Sequence, residues 1–144
     1  MKFFVPACGD RVRLTKDWKF TLYLERRNVK FAEKRNLQQG KPLRYGGYTT
    51  DGTWRGDTIK VEHTIKKGTI LECDRMYIRT TNKSRDNKDD DYDSITWKVI
   101  DPQKDKAAKD GRFWAKLVDC NEMNCVVDSL YRERVKLVRS VING

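Results

Sequence analysis

Apolar and polar residues alternate along much of this chain. In Arg11-Val12-Arg13-Leu14 the two apolar side chains share one face and the two arginines the other, directly after the turn pair Gly9-Asp10. From Trp18 the period returns, with Trp18, Phe20, Leu22 and Leu24 opposite Lys19, Thr21, Tyr23 and Glu25. Successive side chains of a strand point to opposite sides, so each stretch predicts a half-buried strand. Segments 58–65 and 69–79 alternate again on either side of Lys66-Lys67-Gly68, which predicts an antiparallel pair joined by that turn. A fifth strand is expected over 92–100, where Ile95, Trp97 and Val99 share a face. A sixth is expected over 111–118, beyond the break at Asp101-Pro102. Asp119 to Glu122 reads as a turn, and the tail alternates Val135 and Leu137 with Arg134 and Lys136, which favours a last strand over a short helix. Helical spacing is confined to 29–39 at most, where Val29, Phe31, Ala32 and Leu37 give a short amphipathic stretch of basic character.

Short strands at close spacing with little helix predict an all-β fold, a small antiparallel barrel or sandwich. A chain of 144 residues is one domain by size, read here as 1–144 with a long insertion at about 26–56. The composition, 38% hydrophobic and 36% charged, is polar but holds enough apolar surface to fold. No apolar run reaches the roughly 18 residues of a membrane span, and the apolar stretch at the N-terminus is too short for a secretory signal. A cytoplasmic protein without a membrane partner is therefore expected, with Cys8, Cys73, Cys120 and Cys125 as free thiols.

Charge changes the picture more than composition does. The net charge is +10, and the stretch from Arg26 to Arg55 carries eight Lys/Arg against two acidic residues, +6 of that total. Gly40, Pro42, Gly46, Gly47 and Gly52 make it read as an irregular excursion, and Phe31, Tyr45, Tyr48 and Trp54 interleave its charges. A positive loop bearing aromatics suits an anionic polymer. Arg26, Arg27, Lys30, Lys34, Arg35, Lys41, Arg44 and Arg55 are candidates to meet phosphates, and Tyr45, Tyr48 and Trp54 to stack on bases or ribose. The tail adds Arg132, Arg134, Lys136 and Arg139 against Glu133.

Catalytic chemistry has little to stand on. His63 is the single histidine, lies in an alternating strand where it is expected to face solvent, and has no nucleophile signature beside it. Cys120 and Cys125 are the one close cysteine pair, too few for a zinc site. Asp86, Asp89, Asp90, Asp91 and Asp93 surround Lys88, a density of carboxylates that suggests a divalent cation or a metal-dependent nuclease. The run lacks the glycine and terminal glutamate of a calcium-binding EF-hand loop, and a solvated hairpin tip is the favoured reading. No cofactor is expected and no catalytic residue is assigned.

The Gly9-Asp10-x-Val12-x-Leu14 opening, the Lys67-Gly68-Thr69-Ile70-Leu71 turn into strand and the Gly111-Arg112-Phe113-Trp114-Ala115-Lys116-Leu117 strand together resemble an SH3-like barrel, of the kind found among small uncharacterised bacteriophage proteins. Gly-Asp-x-Val is also similar to the start of a KOW-type nucleic-acid module, from which the chain departs by carrying the long insertion where that module has a close glycine-rich turn. The resemblance implies a small viral barrel acting on nucleic acid or on a host protein. Two functions follow as expectations. The first is a non-enzymatic module that holds DNA or RNA through phosphate contacts by its basic insertion. The second is a phage-type modulator whose basic loop docks on an acidic host protein, with aromatic residues as hot spots.

Overall fold

The fold begins at a turn that only glycine fits well. Asp10 N–H donates to the Ala7 carbonyl at 3.1 Å, closing a turn with Gly9 at its third position and a φ of +94°. Gly9 and Asp10 both pair with Cys73, the first donating at 2.6 Å to its carbonyl and the second accepting at 2.9 Å from its N–H, two residues against one as in a glycine bulge. The buried Asp10 carboxylate accepts from Ala7 N–H at 2.9 Å and from Tyr131 N–H at 3.0 Å, so it ties this turn to the start of a helical segment, 131–136.

This computed structural model describes residues 6–34, 47–48, 50–55, 60–78 and 93–136. Its elements in chain order are β1 (Arg11–Leu14), β2 (Trp18–Tyr23), α1 (Arg26–Lys34), β3 (Gly47–Tyr48), β4 (Trp54–Arg55), β5 (Lys60–Ile65), β6 (Ile70–Tyr77), β7 (Ser94–Asp101), a 3-10 turn (Lys106–Ala108), β8 (Arg112–Lys116), α2 (Leu117–Cys120) and β9 (Cys125–Ser129). Strands predominate and all pair antiparallel, so the all-β expectation holds. The main sheet has the order β8-β7-β6-β1-β9, and β2-β5 and β3-β4 form two-stranded sheets.

The main sheet and the β2-β5 pair enclose one core. Val12, Leu71, Trp97 and Phe113 come from the main sheet, and Trp18, Phe20, Leu22 and Ile65 from the pair, all buried. Aromatic rings bridge the layers: Phe20 stacks on Phe113 with centroids 5.1 Å apart and Trp18 meets Phe113 at 6.2 Å, while Trp18 and Phe20 stack within β2 at 4.3 Å. The buried Cys120 thiol points to the Ala115 carbonyl at 3.9 Å.

Four expectations change. The turn at Lys66-Lys67-Gly68 exists, with Gly68 at φ +91°, but β5 and β6 do not pair across it. Gly68 N–H donates to the Leu14 carbonyl and Leu14 N–H to the Thr69 carbonyl, so the chain leaving the turn is captured by β1. Splitting the two strands between layers lets Ile65 and Leu71 enter the core from opposite sides. His63 faces inward rather than toward solvent, at 8% exposure. It lies opposite Phe20 in the β2-β5 register and meets the edges of Phe20 and Phe31. The helix in the basic segment starts at Arg26, not Val29, and 35–39 lie outside the described residues. Finally the tail is helical over 131–136, with 137–144 outside the described residues, and the last strand among the described residues is β9, upstream of it. Arg134 decides that tail locally, donating to the Ser129 hydroxyl at 2.7 Å and to the Gly9 carbonyl, which docks the helical segment on the first turn.

Candidate nucleic-acid interface

The basic segment opens with α1, and its start is closed by Glu25. One Glu25 carboxylate oxygen accepts the Arg27 N–H at 3.0 Å and also the Trp114 indole N–H at 2.9 Å. The positive end of the helix dipole is thus already met by a carboxylate of the chain itself. What α1 offers a ligand is the row of cations on its outer side. Arg26 and Lys30 are four residues apart and Arg27 and Lys30 three, spacings that bring these side chains together on one helix face.

Two buried groups fix where that face lies. Asn28, fully buried, donates from its amide nitrogen to the Tyr23 carbonyl at 3.2 Å and to the Trp114 carbonyl at 3.3 Å. Its amide oxygen accepts the Trp114 backbone N–H at 2.9 Å. This single side chain bolts α1 to β2 and β8. One turn along, buried Phe31 packs on Phe113 with ring centroids 4.7 Å apart. Gly111 allows that approach, since a Cβ there would stand 2.9 Å from both the Phe31 ring and the Ala108 carbonyl.

The result is a cleft of about 410 Å³ between α1 and the entry to β8, lined by Glu25, Arg26, Arg27, Lys30, Phe31, Asp110, Gly111 and Arg112. Four cations and two carboxylates face one another across it, a net charge of +2. Among the described residues Arg26, Arg27 and Lys30 make no ion pair, and Arg112 meets Asp74 only at 3.9 Å. Beside the cleft, Tyr23 and Trp114 stack with centroids 5.7 Å apart and planes 7° from parallel, and the Lys116 ammonium lies 4.5 Å from the centre of the Tyr23 ring.

The expected binding residues divide by position. Arg26, Arg27 and Lys30 are brought together in the cleft, and Lys34 ends α1. Tyr48 stands in β3, 76% exposed, opposite Trp54 of β4, where Arg55 pairs with Gly47. Arg35, Lys41, Arg44 and Tyr45 lie outside the described residues. Sequence reasoning missed Arg112, Asn28 and Trp114. The alternation around Phe113 does place Arg112 outward, but nothing in the sequence says that α1 lies beside it. Asn28 carries no sequence signal distinct from any other helix asparagine.

Burial governs the thiols. It pushes Cys73 and Cys120 up to about 12 and raises Cys125 as well, so these three remain protonated and are poor nucleophiles and metal ligands near neutral pH. Among the described residues no three His, Cys, Asp or Glu side chains gather to hold a metal ion, and no helix is long and apolar enough to cross a membrane. The aspartates from Asp86 to Asp91 lie outside the described residues, and the Asp93 carbonyl accepts the Leu117 N–H at 2.7 Å. No protein-family model, curated protein or solved structure matches the chain, so the cleft is interpreted from its own chemistry.

Proposed function

We infer that this protein is a non-enzymatic nucleic-acid-binding module, acting in the cytoplasm and holding its ligand mainly through phosphates. The observation that carries the reading is the convergence of Arg26, Arg27, Lys30 and Arg112 on one cleft, three of them without an ion pair among the described residues. Charged side chains on a protein surface usually offset one another. Unpaired cations held on a docked helix keep their attraction for an anion, and bidentate arginine suits phosphate in particular. The rest of the basic segment through Arg55 extends the same sign of charge.

Anisotropy titrations over a salt series test this. Neutralising about six phosphates gives a slope of log affinity against log salt between about −4 for a single strand and about −5 for a duplex. Replacing the four cleft cations with alanine is expected to reduce the slope to roughly −2 and to weaken binding at every salt concentration. A shallow slope in the unaltered protein refutes the reading.

A second reading draws on Tyr48. An aromatic side chain 76% exposed on a short hairpin is the kind of anchor that fills a pocket on a partner protein. In that reading the chain is a phage-type modulator whose basic segment is steered to an acidic host protein. Recovery of a stoichiometric protein complex after nuclease treatment, lost on Tyr48→Ala, distinguishes it from the first.

A further inference from the structure

The cleft between α1 and β8 is shaped and charged for more than a phosphate tract. It is an open groove of about 410 Å³, with buried Phe31 among its lining residues and charges of both signs around it. A duplex presents phosphates on a broad convex cylinder, with the neighbouring sugars and the opposite strand beside each one. The base donors of a duplex face inward, away from a groove that meets its phosphates. The carboxylates add a second constraint. Glu25 and Asp110 stand among the cations, where they repel a bare anion but accept hydrogen bonds from any donor that comes with it. Glu25 is held in place by Arg27 N–H and the Trp114 indole, so it cannot swing away when an anion arrives.

An occupant that fits carries negative oxygens and hydrogen-bond donors within a few ångströms of each other. A nucleotide does so, with its phosphate beside sugar hydroxyls and base N–H groups. In a duplex the Watson–Crick donors are used in pairing, and in a single strand they are free. We propose that the α1–β8 cleft receives one unpaired nucleotide of a single-stranded nucleic acid, its phosphate on Lys30 and Arg112 and its donors on Glu25 and Asp110. This rests on the nucleic-acid reading above and adds strand selectivity to it.

The test compares labelled single-stranded RNA, single-stranded DNA and blunt duplexes of one sequence with the full chain at matched salt. Single strands are expected to bind at least about tenfold tighter than duplexes, a difference of about 1.4 kcal/mol. Arg112→Ala and Lys30→Ala, both at exposed positions, should erase most of that preference while leaving the melting temperature within a few degrees. A nucleoside 5′-monophosphate should displace the single strand better than inorganic phosphate at equal ionic strength. RNA favoured over DNA would assign the carboxylates to the 2′-hydroxyl, and equal binding would assign them to the base. Duplex and single strand bound equally, with both lost in the four-alanine variant, would overturn the nucleotide cleft and leave the phosphate reading standing. Binding of no oligonucleotide, with capture of a polyglutamate peptide instead, would overturn both.

Discussion

Replacing Asn28 with alanine isolates what holds the basic helix in place. The side chain has no exposed surface and makes three hydrogen bonds, two as donor to the Tyr23 and Trp114 carbonyls and one as acceptor from Trp114 N–H. The reverse amide orientation would set its NH₂ against the Trp114 N–H, so the network admits only one. Alanine leaves the Trp114 N–H without this partner in the interior, a loss of about 1–3 kcal/mol, and each carbonyl adds about 0.5–1.5 kcal/mol. The expected destabilisation is about 3–4 kcal/mol. For a chain of 144 residues the unfolding entropy is about 0.3 kcal/mol/K, so the melting temperature should fall by roughly 10 °C. Calorimetry measures the shift, and amide hydrogen exchange locates it, with Trp114 N–H protected in the parent and exchanging faster in the variant. Val29→Ala, at the half-buried next position, serves as the control. A drop below about 3 °C, with Trp114 still protected, would refute the argument. The packing of Phe31 on Phe113 would then be what positions α1.

Two further outcomes follow from buried features. Gly9→Ala should cost about 2–4 kcal/mol, because its φ of +94° disfavours any Cβ and because that Cβ would meet the Tyr131 ring at 2.6–2.8 Å. In a Tyr131→Ala background the cost should shrink to the backbone part alone, and a double-mutant cycle in urea measures the difference. The raised thiols predict the alkaline limb of stability. A group whose pKa rises on folding contributes fully below its unfolded value and loses that contribution as pH climbs toward the folded one, so Cys73 and Cys120 should weaken the fold between about pH 9 and 12. In the native protein at mildly alkaline pH iodoacetamide should label exposed Cys8 first, and rapid labelling of all four thiols would contradict their burial.

Much of the strand framework was legible because burial and alternation coincide in it. β1, β2, β7 and β8 each place their alternate residues inward, as Val12 and Leu14 or Phe113 and Ala115 show. β9 was invisible for the same reason, since Val126 and Val127 are adjacent and both exposed. Which strands pair was not encoded locally: a lysine-lysine-glycine turn looks the same whether its arms form a hairpin or part between two layers. The phase of β5 was legible and points the other way from the expectation for His63: it shares a face with Val61 and Ile65, and its burial completes that alternation, with Phe20 opposite it and Phe31 against it from a different element. For the candidate site, composition pointed to the basic residues of α1 but not to the arginine that the fold sets beside them. Arg112 lies more than 80 positions from Lys30 in the chain, and only the docking of the helix brings them to one cleft.

That docking makes the electrostatics of the cleft conditional on the core. Arg26, Arg27 and Lys30 belong to α1 while Arg112 belongs to β8, so the cleft exists only while Asn28, Phe31 and Gly111 hold the two elements together. The four cations repel one another, and their juxtaposition is a cost carried by the buried contacts beneath. An anion bound across both elements removes that repulsion and adds its own attraction to the folded form alone. Ligand present at about 100 times its dissociation constant therefore raises stability by about 2.7 kcal/mol. Most of the Asn28→Ala loss would be offset under those conditions, whereas the Gly9→Ala loss, set away from the cleft, would be offset by the same amount only if unfolding remains one cooperative transition. Comparing the two rescues thus separates a helix that frays by itself from one whose position is part of the global fold.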